Sequence, residues 1–319
     1  MGGCSVDYRI FGESHGEEIG AVLNGIPAGV TVDLDFIAAE LLRRAGGHDA
    51  TSTSRKESDK FRIISGVFEG KTTGAPLCVM IPNENVRSGD YAEVARKMRP
   101  NHSDYGAFMK FGGHNDYRGG GHFSGRLTAP LVAIGAIAKL ALGEVGIRSE
   151  ILMPTRDEVL AAKAEGDSIG GVIEVVADGV SAGLGGYGLD GIESVLAPHF
   201  FAIPAVKAVE FGAGVGFAKM RGSEANDAYR LVDGEVVTNT NNCGGIVGGI
   251  TTGMPIVVRI TFKPTPSIGK EQSTVAWEDG EFREDVLAVR GRHDPCVVLR
   301  AAVIAEAVMA LAIGGLLWK

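Results

Sequence analysis

The chain has 319 residues, 45% of them apolar and 22% charged, with a net charge of −8 at pH 7. That balance describes an ordinary soluble globular protein of one large or two ordinary domains. The acidic excess argues against broad binding to nucleic acid, whose phosphates demand a basic surface, and leaves room only for a local cationic pocket.

From the amino terminus, Met1 to His15 lacks the apolar stretch of a signal peptide. Phe11-Gly-Glu-Ser-His15-Gly is a dense polar hexapeptide, uninformative alone. Gly25-Ile-Pro27 marks a turn and Val30 to Leu34 a short strand. Asp33 or Asp35 caps a helix that runs through Leu42 and stops at Gly46 and Gly47. Arg43 and Arg44, in its last turn, are read as complementing the helix dipole. Phe61 to Phe68 and Pro76 to Ile81, joined through Thr72-Thr73-Gly74, predict a hairpin.

The densest chemistry lies between Arg99 and Arg126. There Arg99, Lys110, Arg118 and Arg126 accompany His102, His114 and His122 and the run Gly119-Gly120-Gly121. Cations contact phosphate and carboxylate, histidines move protons near neutral pH, and glycines admit a ligand to the backbone. A ligand site is expected there, ahead of an apolar helix from Leu127 to Leu142. Ile147 to Asp167 is charged and reads as a connection, and Gly171 to Ala177 as a strand. Gly183-Leu-Gly-Gly-Tyr-Gly188 satisfies a dinucleotide-binding glycine pattern, which raises an NAD(P)-dependent oxidoreductase as a rival class. Asp178 to Ala182 separates it from the strand end and no parallel strand series surrounds it, so a loop is expected.

Gly66 to Val79 then recurs without a gap as Gly245 to Val258, with Thr-Thr-Gly-x-Pro in the same place. Each copy precedes a cationic segment and a small-residue helix: Arg99 to Arg126 and Leu127 to Leu142, then Arg290 to Asp294 and Val297 to Ile313. The pattern predicts an α+β fold with a helical layer between two antiparallel sheets. It is read as one domain over residues 1–319, with related halves at about 1–150 and 170–319. Asp294-Pro295 has the composition of a helix start, and Asp294 beside Arg292 and His293 also sits where proton chemistry is possible. Val297 to Leu317 is long enough to span a membrane, but Arg300 and Glu306 interrupt it. A charge at a span's centre costs roughly 2.5–3.5 kcal/mol, so a buried helix is expected. Cys4, Cys78, Cys243 and Cys296 form no paired motif and predict reduced thiols in a cytosolic protein. No histidine spacing suggests a metal, and His48, His114, His199 and His293 read as loop or core residues.

Several segments run in a shared order: Gly12-Glu-Ser-His15-Gly with Gly25-Ile-Pro27, Ser65 to Gly74, Arg99-Pro-Asn-His102-Ser-Asp-Tyr, and Gly119 to Arg126. Arg221-Gly-Ser, Lys263-Pro-Thr, and Gly291-Arg-His-Asp294-Pro-Cys-Val with Ile304-Ala-Glu306-Ala continue it. Over nearly the whole chain this set resembles the chorismate synthase family. The resemblance implies conversion of 5-enolpyruvylshikimate 3-phosphate to chorismate, the last step of the shikimate pathway toward the aromatic amino acids. That reaction is an anti-1,4-elimination of phosphate and a ring hydrogen, and it needs reduced FMN without net redox change. A cytoplasmic homotetramer served by an external flavin reductant is implied, with reduction by NADPH within the chain left open, and no membrane or nucleic-acid partner.

By the same resemblance His15 serves the leaving phosphate, His102 protonates or holds the reduced flavin, and Asp294 works with flavin N5 on the ring proton. Arg44, Arg99 and Arg126 match substrate-binding positions, and Arg55 a basic position in the same loop, also assigned to substrate. Ser124, Ala205, Gly248, Lys263, Pro264, Thr265, Ser267 and Arg292 are expected along the flavin. The chain departs from the family pattern at Ala50, where a basic residue is common, at His122 and Phe123, at Pro204, and in a shorter connection near Met153. A non-catalytic flavin-binding protein is the remaining alternative.

Overall fold

A computed structural model describes residues 6–46, 51, 58–84, 95–289 and 294–318. Strands β1 (Asp7–Gly12), β2 (Glu18–Asn24), β3 (Arg62–Ser65) and β4 (Leu77–Pro82) form one antiparallel sheet in the order β1-β2-β4-β3. Strands β5 (Gly146–Met153), β6 (Gly171–Asp178), β7 (Val206–Phe211) and β8 (Ile256–Phe262) form a second, in the order β5-β6-β8-β7. In β4 the alternate residues Leu77, Val79 and Ile81 are buried, and in β8 Ile256, Val258, Ile260 and Phe262 are. Period-two apolar patterning thus gives each sheet one core face.

Among the described residues, six helices of eight residues or more accompany the sheets: α1 (Leu34–Arg44), α2 (Asp104–Phe111), α3 (Thr128–Ala141), α4 (Arg156–Ala164), α5 (Ile192–Phe201) and α6 (Val298–Leu317). Helix α3 packs on β2 and β4, α6 on β5 and β6, and the two pack on each other, with α1 and α5 alongside. The α+β layering expected from the sequence is what forms. Gly135 of α3 faces Ala307 of α6 so closely that a Cβ at Gly135 would collide with it. Alanine-rich faces let the two helices approach almost backbone to backbone, and the apolar residues on their remaining faces meet the sheets.

By length and mean hydropathy α6 could cross a membrane, yet 78% of its apolar window is buried inside the chain. Its Glu306 is buried and bound by Arg43, Lys139 and Ser149, each at 2.6 Å. Burial pushes this carboxyl up, but the Arg43 hydrogen bonds and the Lys139 charge outweigh it and hold the group at about 2. Arg43 therefore serves an ion-pair network joining α1, α3, β5 and α6, beyond any compensation of the helix dipole.

The two Thr-Thr-Gly-x-Pro segments make matching hydrogen bonds. Thr72 Oγ1 accepts from the Val30 amide at 3.0 Å and donates to the Pro27 carbonyl at 2.5 Å. Thr251 Oγ1 accepts from the Leu184 amide at 2.9 Å and donates to the Ser181 carbonyl at 2.7 Å. A separate hairpin, β9 (Gln272–Glu278) and β10 (Glu281–Leu287), stacks Trp277 and Phe282 on Phe108 of α2.

Three expectations are corrected. Ile147 to Asp167 is no linker: it supplies edge strand β5 and helix α4, the latter with a Thr155–Glu158 capping box. Val30 to Leu34 makes only an isolated bridge, Thr31 to Lys71. Asp294-Pro295 does not start α6, which begins at Val298 after Val297, because the Asp294 carboxylate is held by Arg300 at 2.7 Å. The glycine pattern at 183–188 is a loop between β6 and α5, bridged to Ile250, and every strand pair in both sheets is antiparallel.

Candidate active site

A cleft of about 670 Å³ opens between the two sheet regions, bordered by the ends of α1 and α5, the starts of α3 and α6, and the segments after β4 and β8. That size suits a small-molecule site. Its lining includes Arg44, Arg99, Arg126 and Arg300 as well as Phe201 to Ala205 and Pro266.

Arg99 and His102 are held by one carboxylate. Asp104, the first residue of α2, accepts from Arg99 Nε at 2.7 Å and Nη2 at 2.8 Å, and contacts His102 Nδ1 at 2.5 Å. Burial pushes Asp104 up, but the hydrogen bonds from Arg99 and His102 outweigh it and hold the carboxyl well below its usual range. Burial pushes His102 down; the Asp104 bond opposes this and the Arg99 charge reinforces it, so the ring sits below the ordinary histidine value. His102 is thus predominantly neutral at pH 7.

The three-glycine run forms the wall against which both predicted histidines lie. Gly119, Gly120 and Gly121 have φ of +59°, +88° and +54°, which only glycine adopts without strain. A Cβ at Gly119 would stand 2.6 Å from the His15 ring, and one at Gly120 would stand 3.2 Å from His102 Nε2. The glycines therefore make room for histidines rather than simply for a ligand. His15 is buried behind Gly119 and does not itself border the cleft, and the neighbouring Ser14 Oγ donates to the Arg118 carbonyl at 3.1 Å.

Arg44 and Arg126 converge on Asp59. Arg44 Nη2 donates to Asp59 Oδ2 at 2.7 Å, and Arg126 Nη1 pairs with Oδ1. Burial raises Asp59, yet the two guanidinium charges win and keep it below its usual range. Arg44 is fully buried and pushed down to about 10, by burial first and by the charges of Arg300 and Arg126. Among the described residues its Nε is the one buried side-chain polar atom without a hydrogen-bond partner. An orphan donor on a cleft-lining cation is what an anionic ligand would satisfy.

Beside Arg44, Arg300 donates to the Arg44 carbonyl at 2.8 Å through Nε and to Asp294 at 2.7 Å through Nη1. Thr265 Oγ1 donates to the Asp294 carbonyl at 2.7 Å. Ala205 holds φ of +74°, unusual for alanine, while its carbonyl accepts from the Lys263 amide at 2.9 Å. Lys263 is pushed down by burial and by Lys207.

Of the residues singled out from the sequence, Arg44, Arg99, His102, Ser124, Arg126, Ala205, Lys263, Thr265, Ser267 and Asp294 border this one cleft. Pro264, between Lys263 and Thr265, is not part of the lining, nor is Gly248, which sits between the short strands Ile246–Val247 and Ile250–Thr251. Arg55, Arg292, Ala50, His48 and His293 lie outside the described residues. His199 accepts or donates at 3.1 Å with the Tyr8 hydroxyl, away from the cleft lining. Sequence reasoning missed Asp59, Asp104 and Arg300. Buried arginines demand counter-charges, and a lone arginine early in an apolar helix demands a reason, but neither signal says which partner answers.

The sequence profile of the chorismate synthase family matches residues 6–153 and 148–317. The chain belongs to the chorismate synthase family. Chorismate synthase of Pyrococcus abyssi is 47% identical, over 97% of this chain and 95% of its own length. That of Chitinophaga pinensis is 46% identical, over 96% and 92% respectively. A crystal structure of chorismate synthase superposes with a TM-score of 0.74 at 28% identity, covering 98% of this chain and 91% of that one. The family's enzymes are carbon–oxygen lyases that eliminate phosphate from 5-enolpyruvylshikimate 3-phosphate to give chorismate in the shikimate pathway, with reduced flavin, and this chain is such a lyase.

Proposed function

We propose that the cleft binds 5-enolpyruvylshikimate 3-phosphate beside reduced FMN and that its own side chains carry the elimination. The supporting observation is that residues as distant in sequence as Arg44, Arg99, Arg126, Lys263 and Asp294 border one cavity. A substrate with two carboxylates and a phosphate calls for such cations, with charged hydrogen bonds worth roughly 1.5–3 kcal/mol each. Arg44, through its orphan Nε, and Arg126 face the anion. Arg99 adds a third cation beside His102.

The FMN fit rests on other residues of the same lining. Ala205 with its positive φ, Ser124, Lys263, Thr265 and Ser267 would hold it, against the apolar surface from Phe201 to Pro204. When bound, the reduced flavin would supply an electron-rich ring that assists loss of the substrate's ring hydrogen. Asp294, fixed by Arg300, takes up that proton. His102 moves a proton at Nε2 on the flavin side. His15, against Gly119 of the cleft lining, is assigned with the cationic side chains to the departure of the phosphate. General acid–base help of this kind contributes ~10²–10⁴-fold.

The same reading makes the chain one domain of two related halves, a cytoplasmic homotetramer, and dependent on an external flavin reductant. Held anaerobically with reduced FMN and enolpyruvylshikimate phosphate, the purified protein should release phosphate and form chorismate. NADPH supplied with oxidised FMN and no other reductant tests whether the chain reduces its own flavin. His15→Ala and His102→Ala should each cut turnover by more than ~10-fold with an unchanged circular dichroism spectrum. Near-full activity in either variant would remove that histidine from the mechanism.

A further inference from the structure

We propose that Asp104 is a positioning residue for the reaction, holding the His102 proton on Nδ1 so that Nε2 is the nitrogen that exchanges protons, and fixing Arg99 alongside. This rests on the assignment of His102 and Arg99 to the lyase chemistry given above. The buried Asp104 carboxylate receives the Arg99 amide at 3.1 Å and Arg99 Nε at 2.7 Å on Oδ2. On Oδ1 it meets Arg99 Nη2 at 2.8 Å and His102 Nδ1 at 2.5 Å. A carboxylate only accepts hydrogen bonds, so Nδ1 must be the donor in that last contact. Arg99 Nη2 also lies 3.2 Å from Nδ1, but an unprotonated Nδ1 would set its lone pair against Oδ1 at the shorter distance.

The remaining ring nitrogen, Nε2, lies on the side of Gly120. Around the ring stand the charged groups Arg99, Asp104 and Lys263, and the Ser103 hydroxyl at 3.3 Å. Asp104 is itself anchored. It opens α2, whose Phe108 is clamped by Trp277 and Phe282 of the β9–β10 hairpin. The Met98 amide also donates to the Val275 carbonyl of that hairpin at 2.9 Å. The carboxylate thereby transmits the position of a rigid hairpin to a ring and a guanidinium at once.

The test is ¹⁵N NMR of the imidazole rings in the full-length protein, with His102→Ala used to assign the signal. Unsubstituted protein at pH 8 should show the Nδ1–H form at His102. In Asp104→Asn the side-chain amide turns its N–H toward the ring, moving the proton to Nε2. Only burial and cationic neighbours then act on the ring, so its protonation midpoint should fall by ~1 pH unit or more. Turnover should fall ~10-fold or more with a displaced pH profile, and Asp104→Glu should recover part of both. An Nε2–H form in the unsubstituted protein, or an unchanged form and midpoint in both Asp104→Asn and Asp104→Ala, would overturn the proposal. A changed form with unchanged turnover would instead overturn the assignment of His102 to the reaction.

Discussion

The two sheet regions share a strand order and differ in what they present to the cleft. Both run 1-2-4-3 in local order, and both pin their central turn through a buried threonine. At the cleft they diverge. Helix α1 ends in Arg44, and α5 ends in Phe201. Ahead of β3 stands Asp59 with φ of +45°, and ahead of β7 stands Ala205 with φ of +74°. Arg126 precedes α3, and Asp294 precedes α6. One backbone plan therefore carries a wall with Arg44 and Arg126 in the first half, and a wall of mixed character, with Phe201, Ala205, Lys263, Asp294 and Arg300, in the second. Side-chain choice at a few element ends, not architecture, decides what each half presents to the cleft.

The sharpest way to break that contrast is to remove the charge that balances the first wall. Asp59→Ala leaves Arg44 and Arg126 facing each other and should cost about 3–5 kcal/mol in denaturant unfolding. Inorganic phosphate should recover more stability in this variant than in the unsubstituted chain. Because Asp59 is held below its usual range, its contribution is present above about pH 4 and fades as pH falls. The variant should therefore lose part of the acid-induced drop in stability. A variant as stable as the parent at pH 7 would remove Asp59 from the account.

The shared plan is tested by paired substitution. Thr72→Val and Thr251→Val each remove one hydrogen bond from an amide and one to a carbonyl at part-buried turns, and should cost similar amounts, about 0.5–1.5 kcal/mol. Costs differing by more than that range would show that the two turns are not equivalent. The smallest effect belongs to the second wall. Ala205→Gly relieves a left-handed alanine and should stabilise the chain by about 1 kcal/mol in thermal unfolding. A loss of stability would mean that the alanine methyl is packed rather than strained.

Much of the architecture could be read in the sequence because it rests on local periodicity. The first hairpin, the Asp33 cap, bonded to the Phe36 amide at 3.0 Å, and both alanine-rich helices follow from residues close in the chain. β5 was misread as a connection because its exposed positions carry Arg148 and Glu150, so an edge strand looked like a charged linker. Most site residues came from ordered motifs. Asp59, Asp104 and Arg300 did not, since a carboxylate's choice among several arginines is settled by tertiary approach. Gly119 to Gly121 were noticed for a different reason from the one the geometry gives, because which side chain presses on a glycine is invisible before folding.

The near-contact of Gly135 with Ala307 has a mechanical corollary. Where two helices meet with almost nothing between them, the thickness of the middle layer becomes a fixed gauge, and the separation of the outer sheets follows from it. One methyl group added at position 135 would act as a shim, prising the layers apart and widening an opening whose lining it never touches.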